Sequence, residues 1–161
     1  ASQEFWSFAF AYPFIFIKLC IIRIIRYFSL IRPMGFWFYQ TGIKQMIFVI
    51  FSGVSIAFLF ISGFAGMLVA LKEKKVLYYY LVVFALTSPL VLILAVVQSR
   101  YRFQIYPFLA LFGAYLLSHL FAKNLYAKKI WLAVVIFFMI VSLADSFMFW
   151  PVVLDRIKIL I

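Results

Sequence analysis

MIFVIFSGVSIAFLFISGFAGMLVAL, residues 46–71, is an uninterrupted apolar run of about 26 residues, closed by KEKK at 72–75. At 1.5 Å per residue a helix of this length covers roughly 30 Å of hydrocarbon with some tilt. The run therefore reads as a membrane span, and the charge cluster that stops it as a short polar turn at the bilayer surface.

Three further runs follow the same plan. Residues 76–97 form a second, broken by Gln98, Ser99, Arg100 and Arg102; 103–122 form a third, broken by Lys123, Asn124, Lys128 and Lys129; 130–150 form a fourth, stopped by Pro151. The composition agrees with four spans. Of the 161 residues 69% are hydrophobic and 12% charged, and the mean hydropathy is +1.18. A soluble domain needs a polar shell that this chain lacks. Fifteen Lys and Arg against four acids give a net charge of +11. Those cations flank apolar runs, which makes anionic lipid headgroups the expected partners and excludes a nucleic-acid reading. The single cysteine, Cys20, has no partner for an intramolecular disulfide and no metal-ligand spacing around it. The chain opens on Ala1 without a signal-peptide pattern. It is expected to be a piece of a longer protein or a processed product, folded as one membrane domain over 1–161.

Residues 5–33 differ, because charge recurs inside the apolar pattern. At 100° per residue Lys18, Arg23, Arg26, Ser29 and Arg32 fall on one half of a helical wheel, with Phe16, Ile17, Cys20, Ile21, Ile24, Tyr27, Phe28 and Ile31 on the other. This predicts an interfacial helix, apolar face toward lipid and cations toward headgroups, bracketed by Pro13 and Pro33. A crossing with several buried cations would cost far more. The expected fold class is thus all-α integral membrane: an interfacial amphipathic helix region followed by about four transmembrane helices.

Within the spans, Ser62, Gly66 and Ala70, and again Ala110, Ala114 and Ser118, repeat small residues every four positions, a spacing that permits close helix approach in lipid. Pro89 is expected to kink the second span, with Thr87 or Ser88 offering a hydroxyl to a freed carbonyl. Tyr78, Tyr79, Tyr80, Trp131 and Trp150 fit interfacial belts.

The two compact lysine clusters fall on one side of a four-span bundle, and the positive-inside rule would make that side cytoplasmic. The opposite side then carries nine cations (Lys18, Arg23, Arg26, Arg32, Lys44, Arg100, Arg102, Arg156, Lys158) against six (Lys72, Lys74, Lys75, Lys123, Lys128, Lys129). Charge by itself does not orient the chain. An excess on the outer side makes sense where those cations hold an anionic substrate.

The stretch best suited to that task is Ser99-Arg100-Tyr101-Arg102-Phe103-Gln104-Ile105-Tyr106-Pro107-Phe108-Leu109-Ala110. Two arginines stand at the mouth of a span, and Pro107 is tolerated in the first turn, where amides lack intrahelical acceptors. A helix N-terminus and two guanidinium groups at one membrane face can seat a phosphate. Arg and Tyr are also ordinary interfacial anchors, so the spacing leaves both readings open. Asp145, in the outer third of the fourth span, is expected to pair with an arginine of the 100–102 loop. His119, near the lysine-rich end, is expected to make an interhelical hydrogen bond. Glu4 and Asp155, near the termini, offer no general acid or base, and no catalytic residue is assigned.

Arg100-Tyr101-Arg102, a short gap, then Pro107-Phe108-Leu109-Ala110-Leu111 opening a membrane helix resembles the late segment of polytopic GT-C glycosyltransferases of the dolichyl-phosphate-mannose-protein mannosyltransferase and aminoarabinose-transferase types. Gln104 and Ile105 stand where those relatives often carry Leu and Pro. Upstream, Tyr12, Pro13 and Lys18, a basic amphipathic stretch, a long span and a Lys-rich turn follow in similar order. The resemblance covers most of this chain and only the C-terminal part of such an enzyme.

The resemblance implies transfer of a sugar from a polyprenyl-phosphate carrier to an extracytoplasmic acceptor, at the plasma or inner membrane. It implies carrier-phosphate binding by Arg100 and Arg102, with Tyr101 positioning the loop and Lys18, Arg23 and Arg26 contributing charge. No cofactor is expected within these residues. The acidic base or ligands of a divalent metal belong in such enzymes to a first extracytoplasmic loop that this chain lacks, so the N-terminal remainder of the same enzyme is an expected partner and the chain alone is expected to be inactive. The competing readings are a non-catalytic membrane subunit of a larger complex and a transporter or flippase fragment. The latter predicts mid-membrane polar residues, of which the chain has few.

Overall fold

The computed structural model describes residues 2–30, 43–94 and 99–148. Arg32, Pro33, the end of the second apolar run at 95–97, Trp150, Pro151, Asp155, Arg156 and Lys158 lie outside the described residues, as do the side chains of Glu4, Lys44, Ser88, Arg100 and Tyr101.

Every regular element among the described residues is helical: α1 (Ser2–Ala11), α2 (Pro13–Phe28), α3 (Ile43–Lys72), α4 (Val76–Leu94), a 3₁₀ turn (Ser99–Ile105), α5 (Tyr106–Phe121) and α6 (Leu125–Met148). Three stretches are long and apolar enough to cross a membrane: Ile50–Lys72, Arg102–Phe121 and Leu125–Met148. The chain is an all-α integral membrane protein. Helix α4 is apolar as well, and its 19 residues reach about 28 Å.

Side-chain contacts define two ends of the bundle. At one, Glu73 meets Tyr115 and His119, and Lys72 lies over Tyr126, so the α3–α4 and α5–α6 turns sit together. At the other, Arg23 reaches the last carbonyls of α4, Arg102 reaches the end of α2, and Ser142 of α6 holds Leu30. Helix α4 therefore runs the same course as its neighbours, and α3 and α5 run parallel.

The turns at the lysine-rich end are stopped without glycine. Lys74 (φ 55°) and Lys123 (φ 56°) adopt the left-handed conformation that ends a helix. At Lys123 the Asn124 amide donates to the His119 carbonyl (3.1 Å) and the Lys123 amide to that of Leu120 (3.0 Å), which satisfies carbonyls left over by α5.

Helix α3 packs chiefly on α5, with small residues along its own contact face. Ser62, Gly66 and Ala70 are buried, as expected. The second expected stripe is corrected: Ala110, Ala114 and Ser118 face outward, and α5 instead presents Leu109, Phe112, Gly113 and Leu116. Bulk on α5 fills the gap that glycine leaves on α3. A methyl group at Gly63 would come within 2.6 Å of the Leu109 side chain, and one at Gly66 would overlap the Phe112 carbonyl. Two facing small stripes would have left that space empty, forfeiting the van der Waals contact that holds helices together in lipid.

Pro89 is buried within a continuous α4. The Thr87 hydroxyl donates to the Val83 carbonyl at 2.9 Å, its own partner one turn back. Pro89 releases the carbonyl of Ala85 instead, so Thr87 does not serve it.

The amphipathic region divides at Tyr12–Pro13 into α1 and α2. Of the half expected to face lipid, Ile17, Ile21 and Ile24 project outward, whereas Tyr27 is fully buried and Phe28 packs into the bundle, a correction to the expected apolar face. The opposite half turns into the bundle: Arg23 and Arg26 are half-buried and Ser29 is fully buried. The end of α2 is anchored by rings, with Phe28 edge-on to Phe64 at 5.5 Å and tilted against Phe138 at 6.3 Å between centroids.

Candidate functional site

The arginine-bearing string begins as the 3₁₀ turn Ser99–Ile105 and passes directly into α5, with Pro107 in the first helical turn, where the missing amide has no acceptor to lose. Arg102, in the last turn of that segment, is only 2% exposed. Its Nη1 donates to the Ser29 carbonyl at 3.0 Å and its Nη2 to the Arg26 carbonyl. The guanidinium also lies 5.8 Å from the centroid of the Tyr27 ring. It thereby holds the C-terminal end of α2, where helix carbonyls carry partial negative charge and have no intrahelical donor.

Arg23 repeats the device on a second helix. Its Nη1 donates to the Leu94 carbonyl at 2.8 Å and to that of Ile93 at 3.3 Å, closing the end of α4. Arg23, Arg26 and Arg102 thus come together at one end of the bundle. Lys18 lies upstream on α2 and is exposed. The backbone of Arg100 and Tyr101 belongs to the same 3₁₀ turn. Neither guanidinium–carbonyl contact was foreseeable from spacing, because each joins positions 70 or more apart.

Asp145 is 3% exposed, on the buried face of α6. One turn earlier the Ser142 Oγ accepts the Leu30 amide at 3.1 Å, and the Ser146 hydroxyl donates to the Ser142 carbonyl at 3.0 Å. The segment Ser29–Leu30 is therefore held between Arg102 on one side and the Asp145 turn of α6 on the other.

The lysine-rich end contains a cluster that the sequence reading missed. Glu73 accepts from Tyr115 and pairs with Lys75 (2.8 Å) and His119 (3.6 Å). The Lys75 ammonium, followed by the Tyr115 hydroxyl, holds the Glu73 carboxyl below its ordinary value of 4.5, and Glu73 in turn raises Lys75. His119 lacks an acidic companion in its own helix, and the one it acquires comes from the end of another. Among the described residues no three His, Cys, Asp or Glu side chains gather as a metal site would require.

Comparison of the chain with family models, curated proteins and solved structures returned no match.

Proposed function

We propose that this chain is the C-terminal part of a GT-C-like glycosyltransferase that takes a sugar from a polyprenyl-phosphate carrier on the extracytoplasmic side. The observation that carries the reading is the convergence of Arg23, Arg26 and Arg102 at the membrane end where the Arg-Tyr-Arg string opens α5. In this reading Arg102 positions the loop through its hold on α2, Arg100 meets the carrier phosphate, and Tyr101, Lys18, Arg23 and Arg26 shape the field around it. The fork of a guanidinium matches a phosphate, and a helix start adds the positive end of its dipole.

Binding of polyprenyl phosphate by the chain in nanodiscs tests it, with R100Q and K18Q as variants that spare the Arg102 hold. The expected result is a loss of about tenfold or more in R100Q, as for removal of one charge-assisted contact. Unchanged binding in R100Q, together with unchanged transfer in the full-length protein, would remove the reading.

A second reading, a non-catalytic membrane subunit, draws on the same arginines. Arg23 and Arg102 are engaged by backbone carbonyls, which is sufficient work for a structural cation. It predicts no selective binding of polyprenyl phosphate at all.

A further inference from the structure

Two hollows, one running along the bundle and one at its lysine-rich end, have complementary chemistry. One is a groove of about 420 Å³ between α3, α4 and α6, walled by Leu68, Leu86, Ala133 and Phe137, with Phe28 at the end away from the lysines. All of its lining is apolar, and its α3 and α6 walls belong to membrane-spanning stretches. The other is a polar cavity of about 290 Å³ that includes Lys72, Glu73, His119, Asn124 and Tyr126.

Neighbouring residues of α3 line both, Leu68 and Leu71 the groove and Val69 and Lys72 the polar cavity, in which the Lys72 ammonium lies 3.3 Å over the Tyr126 ring. Helical spacing puts Lys72 one turn below Leu68 on α3, and Lys129 one turn below Ala133 on α6. Both lysines are exposed at the foot of the groove. Glu73, the acid of the polar cavity, is engaged by Lys75, Tyr115 and His119, so the charge presented at this mouth is positive. A groove open sideways in a bilayer is filled by hydrocarbon, because empty space forfeits dispersion contacts on every wall.

We propose that this end seats an anionic phospholipid of the adjoining leaflet. One acyl chain lies in the groove, the phosphate rests between Lys72 and Lys129, and headgroup hydroxyls reach Asn124 in the polar cavity. The seat is independent of any sugar transfer at the other end of the bundle.

The test uses the full chain in phosphatidylcholine nanodiscs doped with phosphatidylglycerol carrying a photoactivatable diazirine midway along one acyl chain. Crosslinks are expected on Leu68, Leu86 and Phe137 in preference to outward residues such as Val83 and Ile140. K72Q/K129Q, two surface changes that leave the core intact, is expected to lower phosphatidylglycerol crosslinking about fivefold or more, while crosslinking by the matching phosphatidylcholine changes less than about twofold. A133W, which fills the groove, is expected to abolish both. The proposal is overturned if the two lipids label the groove equally in the wild type, if the double variant leaves the preference intact, or if the groove resists labelling because another helix covers it.

Discussion

The Arg102 guanidinium donates to the carbonyl oxygen of Ser29 at 3.0 Å, binding the 3₁₀ turn that leads into α5 to the end of α2 across 73 positions of chain. Ser29 also donates its own amide to the Ile25 carbonyl at 2.9 Å, the last helical bond of α2. The arginine therefore acts where the helix runs out of donors.

Replacing Arg102 should be costly in proportion to what is left unbonded. R102Q or R102A strands two carbonyls in a buried place, and a loss of about 2–4 kcal/mol is expected, each charge-assisted bond contributing roughly 1.5–3 kcal/mol. R102K should recover part of that, since one ammonium cannot fork to both oxygens in the same plane. Thermal denaturation in detergent, with limited proteolysis of the α2 region, measures both.

Arg23 predicts a smaller and more local effect. R23Q releases the end of α4 and should cost about 1 kcal/mol, because that contact is partly exposed. Hydrogen exchange resolved along α4 is the measurement, and faster exchange confined to its last turn is the expected pattern. Uniform acceleration through the bundle would contradict it.

Glycine at 66 and glycine at 53 should behave oppositely. A methyl at Gly66 meets the Phe112 backbone, which cannot move aside like a side-chain tip, so G66A should destabilise by about 1–3 kcal/mol. Gly53 has nothing within 4 Å of where a Cβ would stand. G53A should be neutral or stabilising by up to about 1 kcal/mol through helix propensity. Parallel melting curves of the two variants decide the matter.

The Glu73 cluster gives a pH dependence with a definite sign. Lys75 and Tyr115 hold the folded carboxyl below 4.5, so the contribution is complete above the unfolded value and disappears as pH falls through the lower folded one. Hydrogen exchange in the 73–75 turn should therefore hold steady from neutral pH down to 4.5, after correction for intrinsic rates, and rise below it. E73Q should remove that dependence and leave exchange elevated throughout.

Much of the fold was legible in local patterns. The apolar run from 46 and its stop at Lys72 appear as the long helix α3, and Pro107 appears where a first helical turn tolerates it. The small residues of α3 were legible as a packing face, and those of α5 misled, because Gly63 and Gly66 meet Leu109 and Phe112 and four-residue spacing cannot say which face of α5 supplies them. The candidate site was readable as a set of cations and unreadable as an arrangement: Arg23 and Arg102 were visible as charges at helix edges, with no indication that backbone oxygens would receive them. His119 and Glu73 were each visible alone.

The sequence by itself determined that the chain lives in a membrane and where its apolar runs begin and end, because transfer from water to hydrocarbon sums over neighbouring residues and needs no tertiary partner. Only the tertiary structure decided which groups those guanidiniums meet, which face of α5 packs on α3, and that Tyr115, His119 and Glu73 form one cluster. Those outcomes depend on distances between residues far apart in the chain, set by how the helices close on one another once they are formed.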